Sequence, residues 1–335
     1  TPLPTTSGPD QPPLTLKRLG DFLRHPVREF FRQRLGVHFD NDETVQEDEE
    51  PFALDALVNW KLQDQLIAAQ RVALDGGMPL DDLVQVRAEQ LERMTRRGDL
   101  PMGEFGVLVQ EGLAEPMDAL FKLYEAELRN WPRALPHQSL DLLQPGVDGE
   151  DPVRLSDWLD HLRANDQGDA CRLLLLSSGL VKDNTYRIDK IAPHWVAHLA
   201  AHRAGLSITT RLVSKAGEVT LHPLAPDEAA AAWAALVAGF QQGMRRPLPL
   251  ALQAGRDWLA KSSSTKATQQ SAREAARKAY EGDPYSKGRP ERDQSAELAR
   301  AYPHLEGLWG DGEFAQWCDQ LLAPLWRALH REAQA

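Results

Sequence analysis

Cysteine is almost missing from this chain: Cys171 and Cys318 are the only two in 335 residues. Two thiols exclude a disulfide framework, a four-cysteine zinc site and a four-cysteine iron–sulfur cluster within the chain. Also missing is any apolar run near the ~20 residues that a membrane-spanning helix needs, and no charged stretch followed by an apolar one marks a secretory signal. A cytoplasmic protein without a membrane partner is therefore the expectation. Positive charge is scarce as well, since 38 Lys and Arg face 49 Asp and Glu for a net charge of -11. Nonspecific DNA affinity comes mostly from Lys and Arg displacing counterions, so the balance argues against a general electrostatic DNA binder and makes any DNA contact local. Neither a G-x-S-x-G elbow nor a G-x-x-x-x-G-K-[ST] phosphate loop is present.

What is present suits a globular protein with a sizeable core, at 42% apolar and 26% charged residues. The Pro/Thr/Ser/Gly-rich lead to Pro13 reads as a linker, and a start at Thr1 suggests a piece of a longer polypeptide. Helical spacing then dominates the first third: residues 14–37, Phe52 to Leu74, Leu80 to Thr95 and Phe105 to Leu128. β-type runs follow at Ser139 to Leu143, Val153 to Leu159 and Cys171 to Ser178. A helix is expected over Ile188 to Ala204, a hairpin over Ser207 to Ser214 and Glu218 to His222 turning at Ala216-Gly217, and a long helix over Pro226 to Met244. Ser264 to Tyr280, Gln294 to Ala301 and Glu313 to His330 return to helical spacing. Asp40 to Glu50 holds seven acids and no base and reads as a solvated loop.

The opening stretch LTLKRLGDFLRHPVREFFRQRLGV, Leu14 to Val37, reads as two short helices broken at His25-Pro26. Leu16, Leu19, Phe22 and Leu23 form one apolar stripe, Val27, Phe30 and Phe31 another, and Pro26 occupies a first-turn position. Six basic residues, Arg18, Arg28 and Arg32 among them, face only Asp21 and Glu29. Such a pair can lie on a core by its apolar side and offer arginines to phosphate, or simply carry a solvated charged face.

Several segments occur together in a telling order: the opening stretch, EPFALDALVNWKLQDQLI from Glu50, RRGDLPMGEFG from Arg96, HWVAHLAAHRAG from His194, GMRRPLPL from Gly243 and ARKAYEG from Ala276. In this order they resemble the C-terminal region of the RecC family, the gamma subunits of exodeoxyribonuclease V, over nearly the whole chain from Leu14 to about Leu329. The resemblance implies a mixed α/β fold with a PD-(D/E)xK nuclease-like core whose active site is degenerate, wrapped by helices. The residue pattern divides the chain into a lead at 1–13, a helical portion at 14–131 and a mixed remainder at 132–335, by the resemblance the nuclease-like core with C-terminal helices, expected to form one compact unit with 14–131. The resemblance further implies RecB and RecD as partners, double-stranded and unwound single-stranded DNA as substrate of the complex, and ATP and Mg2+ as cofactors of the partner subunits, with none in this portion.

The degeneracy is testable on these residues. Cleavage by such nucleases uses carboxylates on Mg2+ and a lysine two residues after an acid. The ten lysines here are preceded at that spacing by Thr15, Asn59, Leu120, Leu180, Ile188, Val213, Leu259, Ser264, Ala276 and Tyr285, none of them acidic. By the resemblance, LSDWLDH puts Asp160 at the position of the metal-binding acid, and LLSSG puts Leu175 and Ser177 where the second acid and the lysine stand in active relatives. One carboxylate does not make a two-acid magnesium site.

A second constellation is His194, His198 and His202, three imidazoles on one helical face. Four-residue spacing is a common zinc pair, although no glutamate follows His194 and the histidines can equally flank a buried stripe of Trp195, Val196 and Leu199. Beyond the opening helices, DNA-contact candidates are Arg211 and Lys215 on the hairpin, Arg245 and Arg246 at a helix end, and Lys287 and Arg289 in a loop. Trp309, Trp317 and Trp326 are candidate partner anchors or core residues. The expected function is noncatalytic: scaffolding of the helicase-nuclease in double-strand-break repair and recombination, with guidance of DNA near the fork. The alternatives are an active nuclease with a migrated motif and an assembly module without DNA contact.

Overall fold

The computed structural model describes residues 3, 13–39, 56–146, 151–265, 268–283 and 288–331. Asp40 to Glu50 and Lys287 lie outside the described residues.

The break at His25-Pro26 is real. Helix α1 (Leu16–Arg24) starts at Thr15, whose hydroxyl accepts from Arg18 N–H at 3.1 Å, and α2 (Pro26–Arg34) begins on the proline. The expected stripe is buried: Leu19, Phe22 and Leu23 are almost wholly shielded from water. A helical layer follows, made of α3 (Ala56–Asp75), α4 (Leu83–Arg97), α5 (Gly103–Ala114) and α6 (Met117–Asn130). The expected single run over Phe105 to Leu128 is split at Glu115-Pro116, because the proline contributes no amide to continue α5 and starts a new helix well instead.

The strands are β1 (Arg133–Ala134), β2 (Gln138–Gln144), β3 (Val153–Leu159), β4 (Leu162–Ala164), β5 (Ala170–Leu176), β6 (Val181–Lys182) and β7 (Thr185–Tyr186), followed by α7 (Ile188–Arg203), β8 (Ile208–Ser214) and β9 (Glu218–Leu221). The main sheet runs β1-β4-β5-β8-β9, with β5 and β8 parallel and the other pairs antiparallel. Helix α7 is the crossover between the two parallel strands, as such a pair requires. β2 and β3 form a separate antiparallel pair in full register from Gln138↔Leu159 to Gln144↔Val153. Leu14 lies along β3, its amide donating to the Arg154 carbonyl at 2.8 Å. β8 and β9 make the expected hairpin, with Gly217 at φ 91° in its turn, a left-handed conformation that suits glycine.

The sheet is covered on both faces, which accounts for the apolar run of β5, interrupted only by Arg172. Cys171, Leu173, Leu175 and Val213 pack against the helical layer α3–α6, while Leu174, Ile208 and Leu212 join the larger core around α7. That larger core also takes in α1 and α2, together with α8 (Pro226–Arg245), α9 (Leu252–Ser262), α10 (Gln269–Glu281), α11 (Ala296–Ala301), α12 (Leu305–Trp309), α13 (Glu313–Trp317) and α14 (Ala323–Leu329). α1 meets α8 closely: Phe22 lies edge-on to Phe240 at 5.2 Å, and a Cβ on Gly243 would fall 2.4 Å from the Phe22 ring.

Three local expectations change. Pro193, which by its suitability for a first helical turn reads as a helix start, lies inside α7. Helix α9 fills the stretch before the serine-rich segment, and α10 is started by a Thr268–Ser271 capping box. The run from Glu313 onward contains a π-helical turn, Cys318–Leu322, just ahead of Pro324, which has no amide to return to Gln320. No helix among the described residues is long and apolar enough to cross a membrane.

Candidate functional site

Asp160 follows β3 directly and is bound by charge. Arg172 of β5 donates from Nη2 to Asp160 Oδ1 at 3.0 Å and from Nε to the Asp160 carbonyl at 3.3 Å. Asp160 is 59% exposed and Arg172 only 9%. Burial raises the Asp160 pKa, but the hydrogen bond and charge of Arg172 prevail and hold it below the usual carboxylate range. His161 follows in a left-handed conformation at φ 59°, with Nε2 3.4 Å from the Asp160 carboxylate and Nδ1 3.4 Å from Arg71 Nη1 of α3. Burial lowers its pKa.

The other two positions expected to form the site point elsewhere. Leu175 is buried against the helical layer. Ser177, just past the end of β5, donates to Asp64 Oδ1 of α3 at 3.1 Å, and on either side of it Trp60 Nε1 donates to Ser178 Oγ at 3.0 Å and Lys215 Nζ to Gln63 Oε1 at 2.6 Å. α3 thus lays a polar row, Trp60, Gln63 and Asp64, over the ends of the two parallel strands. Sequence reasoning missed Arg172 and Asp64; a basic residue inside an otherwise apolar strand was the available signal for the first. Among the described residues, no three His, Cys, Asp or Glu side chains are grouped to hold a metal ion.

Two of the three histidines of α7, His198 and His202, are occupied by the fold. His198 is fully buried, with Nε2 facing the His222 carbonyl at 3.2 Å and Nδ1 2.9 Å from Thr210 Oγ1. A carbonyl only accepts, so Nε2 carries the proton and Nδ1 accepts from the threonine hydroxyl. By the same reasoning His202 Nδ1 donates to the His198 carbonyl at 2.9 Å, and its Nε2 accepts from Leu224 N–H at 3.1 Å. Neither ring has a lone pair left for zinc. Burial, then Arg172, pushes the His194 pKa down to about 3. Cys171 is likewise spent, its thiol pushed up to about 12 by burial, and buried Cys318 is raised too.

The basic candidates are distributed over several elements. Arg211 of β8 binds Glu127 of α6 through both oxygens, at 2.6 and 3.1 Å, and Glu218 at 2.8 Å, tying the helical layer to the sheet. Arg246 grips Glu313 through both carboxylate oxygens. Arg18 donates to Gln33 Oε1 at 2.6 Å and covers the Phe240 ring. Arg245 is half-buried at the end of α8. Arg32 stays half-exposed, 3.8 Å from Glu29, and Lys215 and Arg289 are exposed. Arg28 lies 3.6 Å from Glu297. Trp309 is buried, and Trp317 and Trp326 pack against the core. The exposed tryptophans among the described residues are instead Trp60 of α3 and Trp158 on the outer face of β3, the latter with its edge to His137 at 4.8 Å.

These features define a mixed α/β domain whose single acid at the strand junction is neutralised by an arginine and whose basic groups are for the most part bound to its own acids. The family model of the RecC C-terminal domain matches residues 11–263, and the chain belongs to that family. It is 28% identical over 302 residues to the RecBCD enzyme subunit RecC of Escherichia coli (strain K12), a match that takes in 86% of this chain and 23% of that relative. The chain thus spans less than a quarter of the length of the curated relative it matches.

Proposed function

We infer that this chain is a noncatalytic, nuclease-like C-terminal module of a RecC subunit, acting in double-strand-break repair and homologous recombination. Its work is to scaffold a RecBCD helicase-nuclease through contacts with RecB and RecD and to guide DNA strands near the fork. ATP and Mg2+ serve the partner subunits. The observation that carries the noncatalytic part is the Asp160–Arg172 pair: the one carboxylate at the expected position is neutralised by a fixed guanidinium, which competes with a divalent cation for the same oxygens. Leu175 and Ser177 supply neither a second acid nor a lysine. The test is incubation of the isolated chain with end-labelled linear DNA and Mg2+. Intact DNA is expected, and degradation abolished by Asp160→Asn would replace this reading with an active nuclease. Co-purification with RecB and RecD tests the scaffold role, and loss of both partners would remove it.

Pure assembly without DNA contact is the second reading, favoured by the internal pairing of Arg18, Arg211 and Arg246. A salt-dependent gel shift of forked DNA argues for strand guidance, and its absence at low salt argues for assembly alone.

A further inference from the structure

A cavity of about 120 Å³ opens where the break between α1 and α2 meets the start of α9 and the segment leading into α11. Val27, Leu250 and Leu298 give it an apolar side, Arg24 and Arg28 supply donors, and the carboxylates of Asp189 and Glu291 also line it. The two guanidiniums are underused. Arg24 Nε and Arg28 Nε are both shut off from water with no hydrogen-bond partner among the described residues. Their ion pairs are long: Arg24 Nη2 is 4.0 Å from Asp189 Oδ2, and Arg28 Nε is 3.6 Å from Glu297 Oε1.

The nearby carboxylates are already engaged. Asp189 also faces Arg187 at 3.8 Å and Lys190 at 3.7 Å, so one acid serves three cations. Glu297 accepts from Ser295 Oγ at 2.8 Å. Glu291, on the cavity wall, accepts from the backbone N–H groups of Gln253 and Ala254 at 3.0 and 2.8 Å, capping α9 instead of binding either arginine. Around the opening Arg24, Arg28, Arg187 and Lys190 thus outnumber Asp189, Glu291 and Glu297 by one. His25 registers it: its pKa is pushed down to about 3 by burial first, then by Arg28, Arg24 and Lys190.

Buried guanidinium donors without acceptors are costly, and an arginine fork is matched by paired oxyanion oxygens. With both Nε atoms enclosed, the two guanidiniums at this cavity reach a ligand through their Nη groups, which are still more donors than the two oxygens of a carboxylate accept, whereas a phosphate group has oxygens for both. We propose that this cavity binds a phosphate group, held by Arg24 and Arg28. The group is either part of a DNA strand or free phosphate; only the first source rests on the strand-guiding role proposed above.

The test uses the full chain with inorganic phosphate, titrated against chloride at matched ionic strength, and with forked DNA. The variants are Arg24→Gln/Arg28→Gln and, at the exposed rim, Gln294→Glu, which leaves the half-buried arginines in place and adds a negative charge. Phosphate is expected to bind the wild type and raise its Tm, with affinity lower by about tenfold in each variant. Forked-DNA affinity should fall in parallel, with the slope of log affinity against log salt shallower by about one. No phosphate binding beyond that of chloride, or equal binding in wild type and both variants, overturns the site. Loss of phosphate binding with forked-DNA binding unchanged supports a free-phosphate site and removes the DNA source. Phosphate binding in a chain that never binds forked DNA supports the site while refuting strand guidance.

Discussion

Arg172 sets its guanidinium 3.0 Å from the Asp160 carboxylate, so that the acid at the strand junction is balanced by a buried base on the neighbouring strand. The two partners are unequal. Asp160 is 59% exposed and can be solvated alone; Arg172, 9% exposed, cannot. Truncating the acid is therefore the more harmful change. Asp160→Ala should cost about 2 kcal/mol in urea unfolding, below the 3–5 kcal/mol typical of a fully buried pair, because water reaches one side. Arg172→Met should cost less. Since the Asp160 pKa is lowered, its contribution is present above the usual carboxylate range and fades as pH falls through the lowered value. Equal destabilisation by the two changes would contradict this account.

Rebuilding the missing motif by Leu175→Asp with Ser177→Lys should not produce a nuclease. Leu175 is buried between the sheet and the helical layer, and Ser177 already binds Asp64. A carboxylate in that core should cost about 3 kcal/mol or more, so loss of the folded state precedes any gain of chemistry. A stable double variant that cleaves DNA with Mg2+ would show that the site is only two substitutions from activity.

Much of this architecture is legible in residue spacing. The α1–α2 break, the β8–β9 hairpin and the long α8 follow from proline, glycine and apolar period, all of them local signals. The apolar run Cys171 to Ser178 marks a strand but not its place, because burial on both faces erases the alternation that would say which side faces which core. Arg172, Asp64 and Glu127 escape sequence reasoning for a different reason: their meaning lies in partners 12, 113 and 84 positions away. Arg211 shows the consequence. On the hairpin it reads as a free cation offered to DNA, and in the fold it is shared by two glutamates.

Glu127→Ala should therefore act on stability more than on DNA. It leaves Arg211 with Glu218 as its one acid, beside the Thr220 hydroxyl, and opens the joint between α6 and β8. A loss of about 2–3 kcal/mol is expected, with forked-DNA affinity unchanged or slightly higher as positive charge is released. The paired measurement is urea unfolding with a gel shift on the same preparation. A fall in DNA affinity at unchanged stability would place the Glu127–Arg211 pair in the DNA contact.

Gly243 belongs to the segment GMRRPLPL, and its role is steric. With Phe22 carbon 2.4 Å from where a Cβ would sit, Gly243→Ala must push the ring from its edge-on contact with Phe240. The usual helix gain of alanine over glycine, about 1 kcal/mol, should be outweighed by overpacking of about 1–3 kcal/mol. Gly243→Ala with Phe22→Leu should recover part of the loss, because leucine vacates the ring position. A rise in Tm for the single variant would mean that α1 can shift at no cost.

Acid sensitivity should come from buried imidazoles. His25, His194 and His198 are each pushed down to about 3, burial being the first cause in every case. In the unfolded chain they titrate near 6.5. Between those values the unfolded state takes up protons that the folded state refuses, so their stability is whole above about pH 6.5 and is lost as pH falls toward 3. Glu291, raised to about 7 by burial, acts in the opposite sense from its ordinary 4.5 upward and offsets one histidine's share. Each histidine contributes up to ~1.4 kcal/mol per pH unit across the window. Replacing His198 by Asn loses its contacts to Thr210 and His222 and lowers stability at pH 7. It also removes one titrating ring, so the decline from pH 6.5 to 5 should be shallower than in the wild type. Urea midpoints at pH 7, 6 and 5 measure both effects at once, and parallel declines in the two proteins would show that His198 is not among the groups that titrate on unfolding.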